Sequence, residues 1–148
     1  MLKAINIANT FIKMGLDKKK PITNMKLQKL LYYAQGWYLA LTGGESLFEE
    51  DFKRWNFGPV CPEVYNKFKK YKAGPIDCIY KGEPVVDDQD IKRFLEKIWD
   101  MYGKYTGGQL SILSHNESPW IETEEYETIS KDKIELYYCR KIRKYEKV

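Results

Sequence analysis

Between Thr23 and Leu41 the chain reads TNMKLQKLLYYAQGWYLAL, with Leu27, Leu30, Leu31, Ala34, Tyr38 and Leu41 recurring at separations of three, four and seven. That spacing lays them along one face of a helix with 3.6 residues per turn. Tyr32, Tyr33 and Trp37 widen the stripe beyond what one neighbour hides, so this helix is expected at the centre of the fold. Thr23 is a natural N-cap, Ile22 is placed to close over Leu27 as a hydrophobic staple, and Gly43-Gly44 ends the helix. Gly36 in its interior costs about 1 kcal/mol relative to Ala, which implies close backbone packing or a bend there.

The same patterning reads outward to both ends. Ala4, Ile7, Ala8 and Phe11 predict a first helix within residues 2–14, closed by Gly15. After Gly43-Gly44 the chain is expected to extend, and if 52–57 is a strand then Trp55 and Phe57 share one face. Gly58-Pro59-Val60-Cys61-Pro62 reads as a sharp turn, with Pro62 opening a helix through Val64, Tyr65 and Phe68. Residues 76–80 read as a short strand able to pair with 52–57. Asp87 or Asp88 caps a helix carrying Ile91, Phe94, Leu95, Ile98, Trp99 and Tyr102, stopped by Gly103. Thr106-Gly107-Gly108-Gln109 has the form of a capping box for a helix through Leu110, Leu113 and Ser114. Ser118-Pro119 repeats a helix start, with Trp120 as its buried anchor. Ser130 caps a last helix whose buried stripe is Ile134, Tyr137, Tyr138, Ile142 and Tyr145. The expectation is a mainly α (α+β) protein: one compact domain, residues 1–148, of about six helices around the central one, with a small two- or three-stranded β element.

Composition narrows the class. Of 148 residues 43% are hydrophobic and 31% charged, as in ordinary soluble globules, but 12 Tyr is an excess that suits large, partly wet contact surfaces. No apolar run reaches the ~18 residues of a membrane span and no signal-peptide core is present, so a cytoplasmic protein without membrane partners is expected. Cys61, Cys78 and Cys139 are odd in number and far apart, which fits a reducing compartment and buried small hydrophobes rather than disulfides or zinc. The net charge of +4 is uneven: residues 1–30 carry seven Lys against one Asp, residues 31–130 carry 11 basic against 17 acidic, and residues 131–148 carry seven against three. Two basic ends could form a nucleic-acid footprint if they lie side by side. Solvated faces are the simpler reading, because Lys18-Lys19-Lys20 occupies a loop and the C-terminal charges alternate with apolar positions.

Little in the chain reads as catalysis. The single histidine, His115, follows one helix and precedes the next; it suits either a general base or a structural group bridging two helices, and free carbonyls at a helix end favour the second. One His with scattered Cys makes no catalytic zinc set, and no phosphate-cradling glycine loop or G-x-S-x-G is present. Glu49-Glu50-Asp51 and Asp87-Asp88-x-Asp90 read as solvated loops rather than magnesium sites. No cofactor is expected, and binding to protein is what the aromatic excess serves.

Met25-Lys26-Leu27-Gln28-Lys29-Leu30-Leu31-Tyr32-Tyr33-Ala34-Gln35-Gly36, then Phe48, Trp55-x-x-Gly58-Pro59-Val60, Pro62-x-Val64-Tyr65, Leu113-Ser114-His115 and Pro119-Trp120 together resemble the Panacea domain, the GepA-like or SocA-like phage-associated family. The resemblance implies a mainly helical domain, common in prophages and mobile elements, that serves as the antitoxin of a two-gene toxin–antitoxin pair. It implies a cognate protein toxin encoded nearby as partner, and a possible second role as an adaptor delivering that toxin to the ClpXP protease. Lys29, Leu30, Tyr32, Tyr33, Trp55, Gly58, Pro59, Val60, Tyr65, His115, Pro119 and Trp120 carry the motif and read as scaffold. Candidate toxin contacts are Trp55, Phe57 and Pro59 at the turn, and Tyr137 and Tyr145 on the last helix. The alternative function is a prophage regulator that binds nucleic acid through the basic termini.

Overall fold

The computed structural model describes residues 2–146, and of Tyr145 and Glu146 the backbone only. In chain order the elements are α1 (Ala4–Asp17), α2 (Asn24–Leu41), β1 (Phe52–Trp55), β2 (Gly58–Val60), α3 (Pro62–Phe68), α4 (Gln89–Tyr102), α5 (Gly107–His115), α6 (Ser118–Ile121), β3 (Thr128–Ile129) and α7 (Lys131–Glu146). The fold is mainly α with a small antiparallel sheet, as the periodicity predicts.

Helix α2 is the axis. It contacts α1, α3, α4, α5, α7 and β2, and Leu27, Leu30, Leu31, Tyr32, Tyr33, Ala34 and Leu39 are all buried. A helix covered on every side needs no single apolar stripe. Leu41, expected on the buried face, is 61% exposed because the helix leaves the core in its last turn. Thr23 caps its start by accepting from the Lys26 N–H at 3.2 Å. Gly36 is where α7 comes closest: a Cβ there would stand 2.5 Å from the ring of Tyr138, so close packing rather than a bend explains the glycine.

Three expectations about the outer elements need correction. Gly15 does not stop α1, which runs on to Asp17 with Gly15 packed against the Lys20 carbonyl and Trp99. Phe57 is not in β1: the chain reverses over Asn56-Phe57 and pairs Trp55 with Gly58, so Gly58–Val60 is a strand and the reversal comes two residues earlier than expected. Gly58 meets this geometry with φ +109°, a conformation favouring glycine. Residues 76–80 form no strand with β1, whose second neighbour is β3 through Phe52 opposite Ile129. Ile76 N–H donates to the Ile22 carbonyl, and side chains of α1 bond the backbone of residues 80–86. Asn9 bonds Tyr80 N–H (2.8 Å) and the carbonyls of Tyr80 and Glu83, Asn6 donates to the Pro84 carbonyl, and Thr10 accepts from Val86 N–H.

The later helices follow their start signals. Asp88 caps α4 through Asp90 and Ile91 N–H, and both halves of the Thr106–Gln109 capping box are formed. Ser118 is the first residue of α6 and not its cap, a position held by Glu117, whose side chain faces inward. Trp120 is half-buried rather than fully buried, with Arg54 lying across it 3.9 Å from the ring centre. Leu113 is exposed. Of the cysteines Cys61 is buried, Cys139 half-buried and Cys78 exposed, so the expectation of three buried thiols holds fully for Cys61 alone.

Candidate functional site

The hairpin between β1 and β2 is held at its turn by a row of side chains from elsewhere in the chain. Trp120 Nε1 donates to the Trp55 carbonyl at 3.1 Å, Ser111 Oγ donates to the Phe57 carbonyl at 2.5 Å, and Lys29 Nζ donates to the Pro59 carbonyl at 2.9 Å. His115 places Nε2 2.6 Å from the Asn56 carbonyl and Nδ1 2.6 Å from the Ser111 carbonyl. Arg54 reaches the Thr123 carbonyl from the same strand. With its backbone so committed, the turn projects Phe57 outward, 65% exposed.

Beside this turn lies a cavity of about 490 Å³, within the ~300–1,000 Å³ typical of ligand clefts. Trp55, Phe57, Val60 and Tyr65 line its apolar wall, with Gln28 and Lys29 among its polar residues. Trp55 and Tyr65 meet edge to face with ring centres 5.1 Å apart. The first turns of α2 and α5 also border it, through Thr23 to Met25 and Thr106 to Gly108. Gln28 bonds the Cys61 N–H and Asn24, and Asn24 bonds the Tyr65 carbonyl, so this side of the cavity is a closed hydrogen-bond net. Lys29 is 1% exposed. Burial lowers its amine from 10.5 to about 7, because a charged group loses hydration in the interior. Gly58 makes room for it: a Cβ there would stand 2.9 Å from Lys29 Cε and 2.7 Å from Ser114 Oγ.

A second buried centre lies between α2, α5 and α7. Glu117 Oε1 accepts from Tyr138 OH at 2.7 Å and Tyr32 OH at 3.0 Å. Burial raises its carboxyl to about 7 against the opposing effects of Tyr138, Lys141 and Tyr32. Tyr33 stacks on Tyr102 with ring centres 4.0 Å apart, and Lys141 lies 5.6–5.8 Å from the rings of Tyr138, Tyr137 and Trp37. This is a packed polar core, and the phenols of Tyr32, Tyr33 and Tyr138 are all pushed well above their ordinary value by burial.

The motif residues thus divide by place. Lys29, Trp55, Val60 and Tyr65 line the cavity, Gly58 and Pro59 form the strand beside it, and His115 and Trp120 hold the hairpin. Leu30, Tyr32, Tyr33 and Pro119 are buried in the frame. His115 bridges α5 to the hairpin rather than to a second helix, and both ring nitrogens face backbone carbonyls. Burial pushes the Cys61 thiol up to about 12, away from nucleophilic use. Among the expected contact residues, Trp55, Phe57 and Pro59 come together, whereas Tyr137 lines a separate cavity of about 210 Å³ with Glu117 and Lys141. The side chain of Tyr145 lies outside the described residues. Sequence reasoning missed the burial of Lys29 and of Glu117; the only signal for Lys29 was its place among the apolar residues of a helix covered all round.

A family model described as Antitoxin SocA-like, Panacea domain, matches residues 27–121, from the second turn of α2 through α6. Antitoxin SocA of Caulobacter vibrioides (strain NA1000 / CB15N) is 34% identical over an alignment of 125 residues that covers 77% of this chain and 66% of the relative. The match therefore spans just under two thirds of that protein's length. No solved structure matches the chain. With more than half its length under the family model, including the hairpin, its supports and the cavity wall, the chain belongs to the SocA-like Panacea-domain family.

Proposed function

We propose that this protein is the antitoxin of a toxin–antitoxin pair and neutralises its cognate toxin in the cytoplasm by direct binding. The observation that carries the reading is the match to the SocA-like antitoxin family over residues 27–121, supported by the kinship to Antitoxin SocA. The hairpin supplies the means: a rigid turn presenting Phe57 beside an aromatic-walled cavity is the kind of anchor that dominates protein interfaces. No described helix is long and apolar enough to cross a membrane.

Growth of cells expressing the adjoining open reading frame, alone and with this chain, tests the reading. Rescue with co-purification of the two products supports it; a harmless neighbour that does not co-purify refutes it. Phe57→Ala should weaken the complex by about tenfold or more without lowering the melting temperature, since the ring is largely exposed and lies outside the buried core. Toxin abundance separates two modes: steric inhibition leaves it unchanged, and delivery to ClpXP lowers it.

A further inference from the structure

We propose that the cavity beside the hairpin captures a carboxylate of the toxin, presented next to a large apolar side chain, with Lys29 as the group that recognises it. The inference rests on the antitoxin reading and names the partner chemistry its binding surface would accept.

The argument is one of charge and donors. The residues bordering the cavity include two lysines, Lys29 and Lys72, and no Asp or Glu. An ammonium offers three N–H donors, and Lys29 uses one, toward the Pro59 carbonyl. Two donors therefore remain in a nearly dry site, an arrangement that favours an incoming anion because a charge-assisted hydrogen bond gains strength where water is excluded. The first turns of α2 and α5 border the same space. Each carries N–H groups with no intrahelical partner and the positive end of its helix dipole. The wall formed by Trp55, Tyr65 and Val60 carries no formal charge and suits an apolar neighbour of the carboxylate. A cationic guest would meet Lys29 and both helix starts with no counter-charge.

Since burial holds the Lys29 amine near 7, a carboxylate arriving above that pH restores its proton, and binding takes up a proton from solution. The test uses the full chain and the co-purifying product of the adjoining open reading frame, titrated calorimetrically at pH 8 in two buffers of different ionisation enthalpy. Wild type should take up most of one proton. Lys29→Met should bind roughly 30-fold more weakly or worse and lose the uptake. Replacing the toxin's Asp and Glu residues one at a time by Asn and Gln should yield one variant whose loss is not additive with Lys29→Met. Ala73→Glu, at an exposed position on the cavity border, gives a second probe independent of the core: the introduced carboxylate should weaken toxin binding about fivefold.

If the toxin binds Lys29→Met and Ala73→Glu as tightly as wild type, the inference falls and the antitoxin reading stands. If the toxin binds none of the proteins, both fall. A melting-temperature rise in acetate that depends on Lys29, with toxin affinity indifferent to both variants, would assign the cavity to a small carboxylate and likewise overturn the proposal.

Discussion

The two buried ionisable groups make a prediction about stability against pH. Lys29 is an amine held at about 7 against its ordinary 10.5, so between those values the unfolded chain binds more protons than the folded one. Its contribution is fully present above 10.5 and is lost as pH falls through about 7. Glu117 is a carboxyl raised to about 7 from 4.5, so between those values the folded chain holds the extra proton. Its contribution is fully present below 4.5 and is lost as pH rises through about 7. At about 1.4 kcal/mol per unit, the swings are about 5 kcal/mol for Lys29 and about 3–4 kcal/mol for Glu117. Both side chains are almost fully buried, so solvent screening removes little of either. Against a total of about 5–15 kcal/mol for a domain, these are large terms.

Their signs place a minimum of stability near pH 7, with a fall from pH 5 to 7 governed by Glu117 and a rise from pH 7 to 9 governed by Lys29. Urea unfolding followed by circular dichroism at pH 5, 7 and 9 measures it, and variants isolate each limb. Lys29→Met should flatten the rise above pH 7 and leave the fall below it; Glu117→Gln should do the reverse. Met replaces the aliphatic stem of Lys29 and leaves only the Pro59 carbonyl without its donor. If Lys29→Met keeps the full alkaline rise, or Glu117→Gln the full acid-side fall, the assignment of these limbs to buried groups is wrong.

Gly36→Ala should destabilise by about 1–2 kcal/mol, because the overpacking against Tyr138 exceeds the gain in helix propensity; a melting temperature above wild type would refute the close approach, and the penalty should shrink in a Tyr138→Leu background. Gly58→Ala combines a φ of +109° with contacts at 2.7 Å to Ser114 and 2.9 Å to Lys29, and should cost about 2–4 kcal/mol, read by urea unfolding at pH 7. Thr106→Ala removes one half of the α5 capping box and should cost about 1 kcal/mol, a fall in melting temperature of about 2–4 °C; an unchanged value would mean the cap contributes nothing measurable.

Much of the helical frame was legible because its signals are local. Thr23, Asp88 and the Thr106–Gln109 pair are caps that act within one turn, and the α4 pattern from Ile91 to Tyr102 needs only one covered side. The β element was legible in place but not in pairing. Phe57 shares its neighbours' aromatic character, and nothing local distinguishes a strand that continues through it from one that reverses at Asn56-Phe57. The extended residues 76–80 looked like a strand because Ile and Tyr favour strands, yet the N–H and carbonyl of Tyr80 bond Asn9, a polar residue on a helix read only for its apolar face, and the Ile76 N–H donates to the Ile22 carbonyl. Lys29 and Glu117 were illegible for a related reason. A charged residue reads as exposed until tertiary contacts bury it, and those contacts come from the hairpin in one case and from Tyr32 and Tyr138 in the other.

The arrangement separates support from contact. Trp120, His115, Ser111 and Lys29 act on the hairpin through main-chain carbonyls, and a carbonyl is the same whichever side chain its residue carries. Phe57 can therefore be exchanged without breaking any of these bonds, whereas loss of His115 removes its contacts to the Asn56 and Ser111 carbonyls and loosens the turn itself. The residues that carry the family motif are mostly on the supporting side of this division, while the most exposed ring of the site, Phe57, is not among them. A frame held through its backbone can keep one geometry while its outward side chains change partners. For this chain the antitoxin reading then has a specific consequence: toxin preference should follow substitutions at Phe57 and on the cavity border, fold stability should follow Trp120, His115 and Ser111, and Lys29, which both holds the hairpin and lines the cavity, should affect both.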